Sequence, residues 1–185
     1  MIIHGDFETR GTVDLKEVGA DVYTKHPDTD VWCFAWAHDD QEPMVWTPGM
    51  TKPALEFPFG FKSTRFAAHN ANFELAVWNN IMVPRYGWPR LDPERVICTM
   101  AMAYAMALPG SLENAAAALG LSQQKDPAGH RLMMQMCRPK TEQPLTWWDD
   151  YDKLVALYEY NKQDVRTEQE LHRRLLSLSP AEQKL

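Results

Sequence analysis

Apolar and polar residues along this chain alternate with two different periods, one that suits strands and one that suits helices. The opening MIIHGDFET sets Ile2, Ile3 and Phe7 among polar neighbours and reads as a short strand, Met1 to Thr9. VWCFAWAH, Val31 to His38, is aromatic and apolar enough for a buried strand. Pro43 to Trp46 follows the acidic turn HDDQE, so the two runs read as a hairpin. The stretch Thr47 to Lys62 holds three prolines and two glycines and reads as a loop. A brief strand at Arg65 to Ala68 then leads into HNANFELAVWNN. Its Phe73, Ala76 and Val77 fall at i, i+3 and i+4, which predicts an amphipathic helix with Asn70 as its N-cap.

Helical periodicity dominates the remainder. Ile97 to Leu108 reads as a helix stopped by Pro109-Gly110; Ser111 caps the next, Leu112 to Leu119, and Gly120 closes it. Gly129 to Cys137 reads as a short Met-rich helix. From Trp147 the spacing of Leu154, Leu157, Tyr158, Val165, Leu171 and Leu175 predicts helical structure to about Leu176. Strands come first and helices later, without internal repeats. The expectation is one domain of α/β or α+β class on a mixed sheet.

Composition narrows the function classes. A chain of 185 residues buries roughly 70% of the surface its unfolded form exposes, so it needs no staples. Its longest apolar stretch, Met100 to Leu108, falls far short of the ~20 residues of a membrane span, and no membrane partner is expected. The first residues lack the basic-then-apolar order of a secretory signal. Cys33, Cys98 and Cys137 form no CxxC pair, which argues against a disulfide framework or a structural zinc knuckle and for a reducing, cytoplasmic setting. A net charge of −6 is wrong for a broad basic face that grips duplex nucleic acid, yet compatible with a small acidic pocket that gathers divalent cations.

Candidate chemistry lies in three segments. Asp6 and Glu8, two apart on a strand, project from one face; buried side by side they repel unless a cation compensates them, and hard Mg²⁺ suits them. Glu74 sits in the first turns of a helix, where any carboxylate gains from the helix dipole. Tyr160 and Asp164, four apart, share a helix face. Singly, each fits a solvated strand end or helix face as well as a site. His4, His69 and Cys33 read first as packed or hydrogen-bonded groups. The seven tryptophans read as core and interface anchors. Met100, Met102, Met106 and the Met133, Met134, Met136 group read as core filler.

Together, DFET, HNANFE and YNKQD in that order resemble the proofreading 3′→5′ exonuclease superfamily, whose pattern is Asp-x-Glu, then Asn-x-x-(Phe/Tyr)-acid, then Tyr-x-x-x-Asp. Here these are Asp6 and Glu8; Asn70, Phe73 and Glu74; Tyr160 and Asp164. TMAMAYAMALPGSLENAAAALGL resembles the linker helices of one branch, the exonuclease domain of bacteriophage family A DNA polymerases. YNKQDVRTEQELHRRLLSLSPAEQKL resembles the passage into the polymerase domain itself, so residues 1–185 are expected to form the exonuclease domain. The resemblance implies an α/β ribonuclease-H-like fold, a mixed five-stranded sheet with helices on both faces. It implies two Mg²⁺ or Mn²⁺ ions held by Asp6, Glu8, Glu74 and Asp164, with Tyr160 orienting the attacking water. Phe7, Thr9, His69 and Asn70 would contact the substrate. The implied partners are a single-stranded DNA 3′ end and a polymerase domain or subunit, in the host cytoplasm if the chain is phage-encoded. Two departures stand out: Glu74 replaces the usual Asp, and Cys98 stands where many members have Asp before Thr-Met. Other readings of the same motifs are a free-standing exonuclease on short RNA or single-stranded DNA, and an inactive binding module of this fold.

Overall fold

Side chains of very different bulk face opposite ways from the two longest strands. The computed structural model describes residues 1–51, 64–122, 127–179 and 182. Within it β1 (Ile2–Arg10) pairs antiparallel with β2 (Asp30–His38). The register Gly5↔Trp36, Asp6↔Ala35, Phe7↔Phe34 and Glu8↔Cys33 sorts the residues. Phe7, Phe34 and Trp36 share one face; His4, Asp6, Glu8, Cys33, Ala35 and Ala37 share the other. β3 (Met44–Trp46) adds to β2 antiparallel, completing the expected hairpin. β4 (Arg65–Ala68) joins the other edge of β1 in parallel, and β5 (Val96–Cys98) joins β4 in parallel. The sheet order is β3-β2-β1-β4-β5, with β1 central.

The bulky face receives α2 (Ala71–Val77), a π-helical turn (Trp78–Met82) and α3 (Val83–Tyr86). Ile3, Phe7, Phe34 and Phe66 pack there against Val77, Trp78, Ile81 and Met82, all nearly or fully buried. Phe7 stacks on Phe34 with ring centroids 4.3 Å apart, and Trp78 meets Phe34 edge-on at 5.8 Å. α1 (Leu15–Lys25) leans against α2. After α4 (Thr99–Ala105), α5 (Leu112–Ala118), α6 (Pro127–Met136) and a small hairpin of β6 (Thr141–Glu142) and β7 (Leu145–Thr146), the long α7 (Tyr151–Arg174) crosses the face of small side chains. Cys33, Ala35 and Ala37 are fully buried, packed with Leu157 and Val165 of α7. Helices cover both faces of a mixed five-stranded sheet in one α/β domain, the ribonuclease-H-like arrangement.

Three local expectations need correction, and one helix joins them as an omission. Residues 97–108 are not one helix: Val96–Cys98 pair with β4, and the helix begins only at Thr99. A short apolar run beside an open parallel edge takes the strand, whatever its periodicity. Asn70 holds the N-cap position but makes no side-chain cap hydrogen bond; its backbone is left-handed (φ 64°, ψ 47°) and not in the extended conformation usual for a capping residue. The helix α1 was not foreseen. Its apolar stripe is sparse and Gly19 (φ 75°, ψ 165°) breaks it midway, although Asp14 accepts a hydrogen bond from the Lys16 N–H and Glu17 stands three residues on, an N-terminal signature. Met134 is 43% exposed and is not core filler, unlike Met136, which is fully buried. Ser111 caps α5 as expected, accepting from the Asn114 N–H. Trp32, Trp36, Trp46, Trp78 and Trp88 are buried as anchors. Most of the expected loop, residues 52–62, lies outside the described residues.

At Gly5 the sheet and its aromatic layer approach closely. A Cβ there would sit 2.7 Å from Phe34 Cε2 and Cζ and from Phe66 Cε2. Gly5→Ala is therefore expected to cost about 1–3 kcal/mol of stability through overpacking. Urea denaturation of the variant beside the parent chain checks this, and an unchanged midpoint would contradict it.

Candidate active site

Strand and helix periods bring the acids together. Asp6 and Glu8 point from the small face of β1 toward α7, where Tyr160 and Asp164 occupy successive turns. Carboxylate oxygens of Asp6, Glu8 and Asp164 lie within 4.8 Å of one another. Glu74 reaches the cluster from the first turn of α2, and its Oε2 accepts a hydrogen bond of 3.1 Å from the Phe7 backbone N–H. The longer Glu side chain thus bridges from helix start to strand backbone.

Each acid bears the electrostatic cost of its position. Burial pushes the Asp6 carboxyl well above the usual carboxylate range, Asp164 pushes it further, and the amide of Asn161 partly offsets this. Glu8 is raised by burial, then by Asp6 and Asp164. Glu74 is raised by burial and by Asp6, against the lowering effect of the Phe7 N–H. Among the described residues, no cation is among the groups that set the acidity of these three. An all-oxygen donor set of like charges, half-buried at Asp6 and Asp164 and buried at Glu8, fits hard divalent metal ions. Tyr160 hydrogen-bonds Asp164, and burial together with the surrounding carboxylates raises its phenol far above the usual value near 10, so its proton stays on.

Asn161 was not anticipated. Fully buried, it donates from Nδ2 to Asp6 Oδ2 at 2.5 Å and to the Asp6 carbonyl at 3.3 Å, while its Oδ1 accepts from the Cys33 thiol at 3.5 Å. An asparagine next to a motif tyrosine carries no periodic signal, and only the approach of the helix to the strand reveals its use. The side of Asp6, Glu8, Glu74 and Asp164 opens into a pocket of about 380 Å³ that Phe7 and Thr9 also line. Its apolar wall comes from Leu15, Tyr23, Phe73, Met133 and Met134, with Lys16 and Arg138 at hand as cations. Tyr23 also lies 3.1 Å from the Thr9 hydroxyl. The α1 and α6 contributions escaped the sequence reading because neither helix carries a motif acid.

His69 and Asn70 do not line this pocket. The His69 Nε2–H donates to the Gly110 carbonyl at 2.8 Å, and Nδ1 lies 3.2 Å from Thr99 Oγ1, so the ring braces α4 and the following loop. That is the packed, hydrogen-bonded reading of this histidine.

The chain is similar to a DNA polymerase. That protein, from Bacillus phage SP02, is 33% identical over 191 aligned positions, which cover 96% of this chain and 28% of the polymerase. The chain thus spans little more than a quarter of its relative's length. No protein-family model matches. A solved structure described as the apo form of the nuclease aligns with 94% of this chain and 70% of its own, at 15% identity and a TM-score of 0.46. Among the described residues, no helix is long and apolar enough to cross a membrane.

The raised carboxyls make the metal-free fold sensitive to pH. A carboxyl whose folded pKa lies above its unfolded value contributes stability that is full below about pH 4.5 and is lost as pH rises through the folded value. Glu8→Gln removes one such group. In chelator at pH 7.5 it should melt roughly 2–4 °C above the parent, with the gap closing near pH 4. Thermal melts at both pH values check this, and equal melting at pH 7.5 would contradict it.

Proposed function

We propose that this chain is a metal-dependent 3′→5′ exonuclease that releases deoxynucleoside 5′-monophosphates from single-stranded or frayed DNA ends, as a proofreading activity beside a family A polymerase. The convergence of Asp6, Glu8 and Asp164 at the floor of one pocket carries the reading. Similarity to a segment of a phage DNA polymerase supports the polymerase setting, and a host-cytoplasmic location goes with it. Asp6, Glu8 and Asp164 would hold one Mg²⁺ or Mn²⁺ ion, and Asp6 with Glu74 the second. Bound divalent ions supply a water nucleophile at neutral pH and charge compensation at the departing 3′ oxygen.

The chain's own groups do the rest. Tyr160, which keeps its proton, orients the attacking water by hydrogen bonding and does not act as base. Asn161 holds the Asp6 carboxylate in one orientation. Phe7 and Thr9 line the pocket, where they would seat the terminal nucleotide, with Phe73 and Met134 offering apolar surface to its base. A pocket of about 380 Å³ falls in the range of small-molecule sites, ~300–1,000 Å³, and suits one unpaired nucleotide. A mismatched end, which costs less to unstack, would enter it more readily.

Digestion of 5′-labelled single-stranded DNA with Mg²⁺ tests the proposal, with Asp6→Ala as control. A ladder shortening from the 3′ end is expected, abolished by chelator and by Asp6→Ala. Undiminished cleavage by a metal-stripped sample in excess chelator would overturn it. In the same assay Tyr160→Phe should lower turnover by roughly 10- to 1000-fold without changing the metal titration. Full activity of this variant, or outright loss of metal affinity, would remove the assigned role. Glu74→Gln keeps the acceptor for the Phe7 N–H but loses the charge, so cleavage should slow strongly and need more Mg²⁺; an unchanged rate and titration would assign the second ion to another acid.

A further inference from the structure

Beside the acidic cluster, on the same face of β1 and nearer its start, His4 meets Glu168 and His172 of α7. Each offers a metal-ligating atom, and the three atoms lie within 4.8 Å of one another. His4 Nδ1 is hydrogen-bonded to Glu168 Oε2. The two imidazoles meet edge to face, with centroids 5.3 Å apart. Glu168 is only 3% exposed, yet its second oxygen, Oε1, is buried without a hydrogen-bond partner among the described residues. A native fold seldom leaves a buried carboxylate oxygen so, unless an ion or water completes it. His4 and His172 also line a separate open pocket of about 250 Å³, whose walls include Asp39 and the Asp40–Arg173 ion pair, so a cation has a route in from solvent.

We infer that His4, Glu168 and His172 form a second metal site, distinct from the acidic cluster and suited to a borderline transition ion of the zinc type. Two imidazole nitrogens and one carboxylate oxygen match zinc chemistry, whereas the all-oxygen set of Asp6, Glu8 and Asp164 matches Mg²⁺. Three protein ligands leave a fourth position for water from the pocket. An ion seated there takes over from the proton in the His4–Glu168 hydrogen bond. It also ties the last turns of α7 to the start of β1, which fixes the helix that carries Tyr160 and Asp164. The site stands whether or not the chain cleaves DNA.

The test uses the untagged full chain, stripped of metal, with Co²⁺ as a visible probe of the zinc site. An Asp6→Asn/Asp164→Asn background removes the acidic cluster as a competing ligand set. In that background one Co²⁺ per chain should bind, displaced by equimolar Zn²⁺ but not by a thousand-fold excess of Mg²⁺. His172→Gln and, separately, Glu168→Gln should each weaken binding by about 100-fold or more. Circular dichroism and melting in chelator identify which variants are folded, and the comparison is read from those. Absence of Co²⁺ binding in the background chain would overturn the inference, as would binding that neither substitution weakens. Because no step of the test reads DNA cleavage, its failure leaves the nuclease proposal standing.

Discussion

Mutual repulsion among Asp6, Glu8 and Asp164 is the constraint to which the rest of the structure answers. Carboxylates within 4.8 Å of one another would separate if either backbone could retreat. Neither can. Cys33, Ala35 and Ala37 are small enough to let α7 lie close upon the sheet, and Leu157 and Val165 seal that contact. On the opposite face the aromatic layer around Phe34 and Trp78 holds β1 and β2 flat against α2 and the π-helical turn. Asn161 then joins helix to strand through the Asp6 carboxylate, whose charge is opposed by burial and by Asp164. Hydrophobic burial distributed over two layers thus keeps in place an arrangement that is electrostatically unfavourable. Perturbed carboxyls held this way in a cleft are the usual mark of a site built for chemistry.

Much of this was legible in the residue pattern, and the reasons divide by element. The strands β1, β2 and β3 announced themselves through dense β-branched and aromatic runs, and α7 through a long helical stripe. Asp6 with Glu8, and Tyr160 with Asp164, were readable as same-face pairs because strand and helix periods set them, whereas joining them with Glu74 into one site rested on the order of DFET, HNANFE and YNKQD and the resemblance it carries. β5 was hidden, since three residues beside a parallel partner look the same as the first turn of a helix. α1 was hidden by Gly19, which breaks its stripe, although Asp14 and Glu17 marked its start. Asn161 and the pocket contributions of Met134 and Tyr23 depend on which elements meet, which no local period encodes.

Glu74 illustrates how a departure from a pattern acquires a structural use. A shorter acid at this helix start would stop one methylene further from β1. The glutamate instead accepts the Phe7 N–H while remaining coupled to Asp6 and Glu8. One side chain therefore joins helix, strand and acidic cluster, and substitutions on α2 and on β1 should not be energetically independent of one another.

The seam between β1 and α7 behaves like two rulers laid edge to edge. Alternate residues of a strand advance by about 6.7 Å, and every fourth residue of a helix by about 6.0 Å. Graduations that nearly coincide stay in step for two or three divisions before drifting apart. His4, Asp6 and Glu8 ascend the strand while Glu168, Asp164 and Tyr160 descend the helix, and the matches hold over just this span. At the next graduation the alignment is gone: a bulge shifts the register after Glu8, and Arg10 turns to Asp30 and the rings of Trp32 and Trp147. Across the three matched positions the two spacings part by only about 1.4 Å, so strand and helix stay in step until the bulge ends the run, and this fold places a polar cluster at every graduation it has.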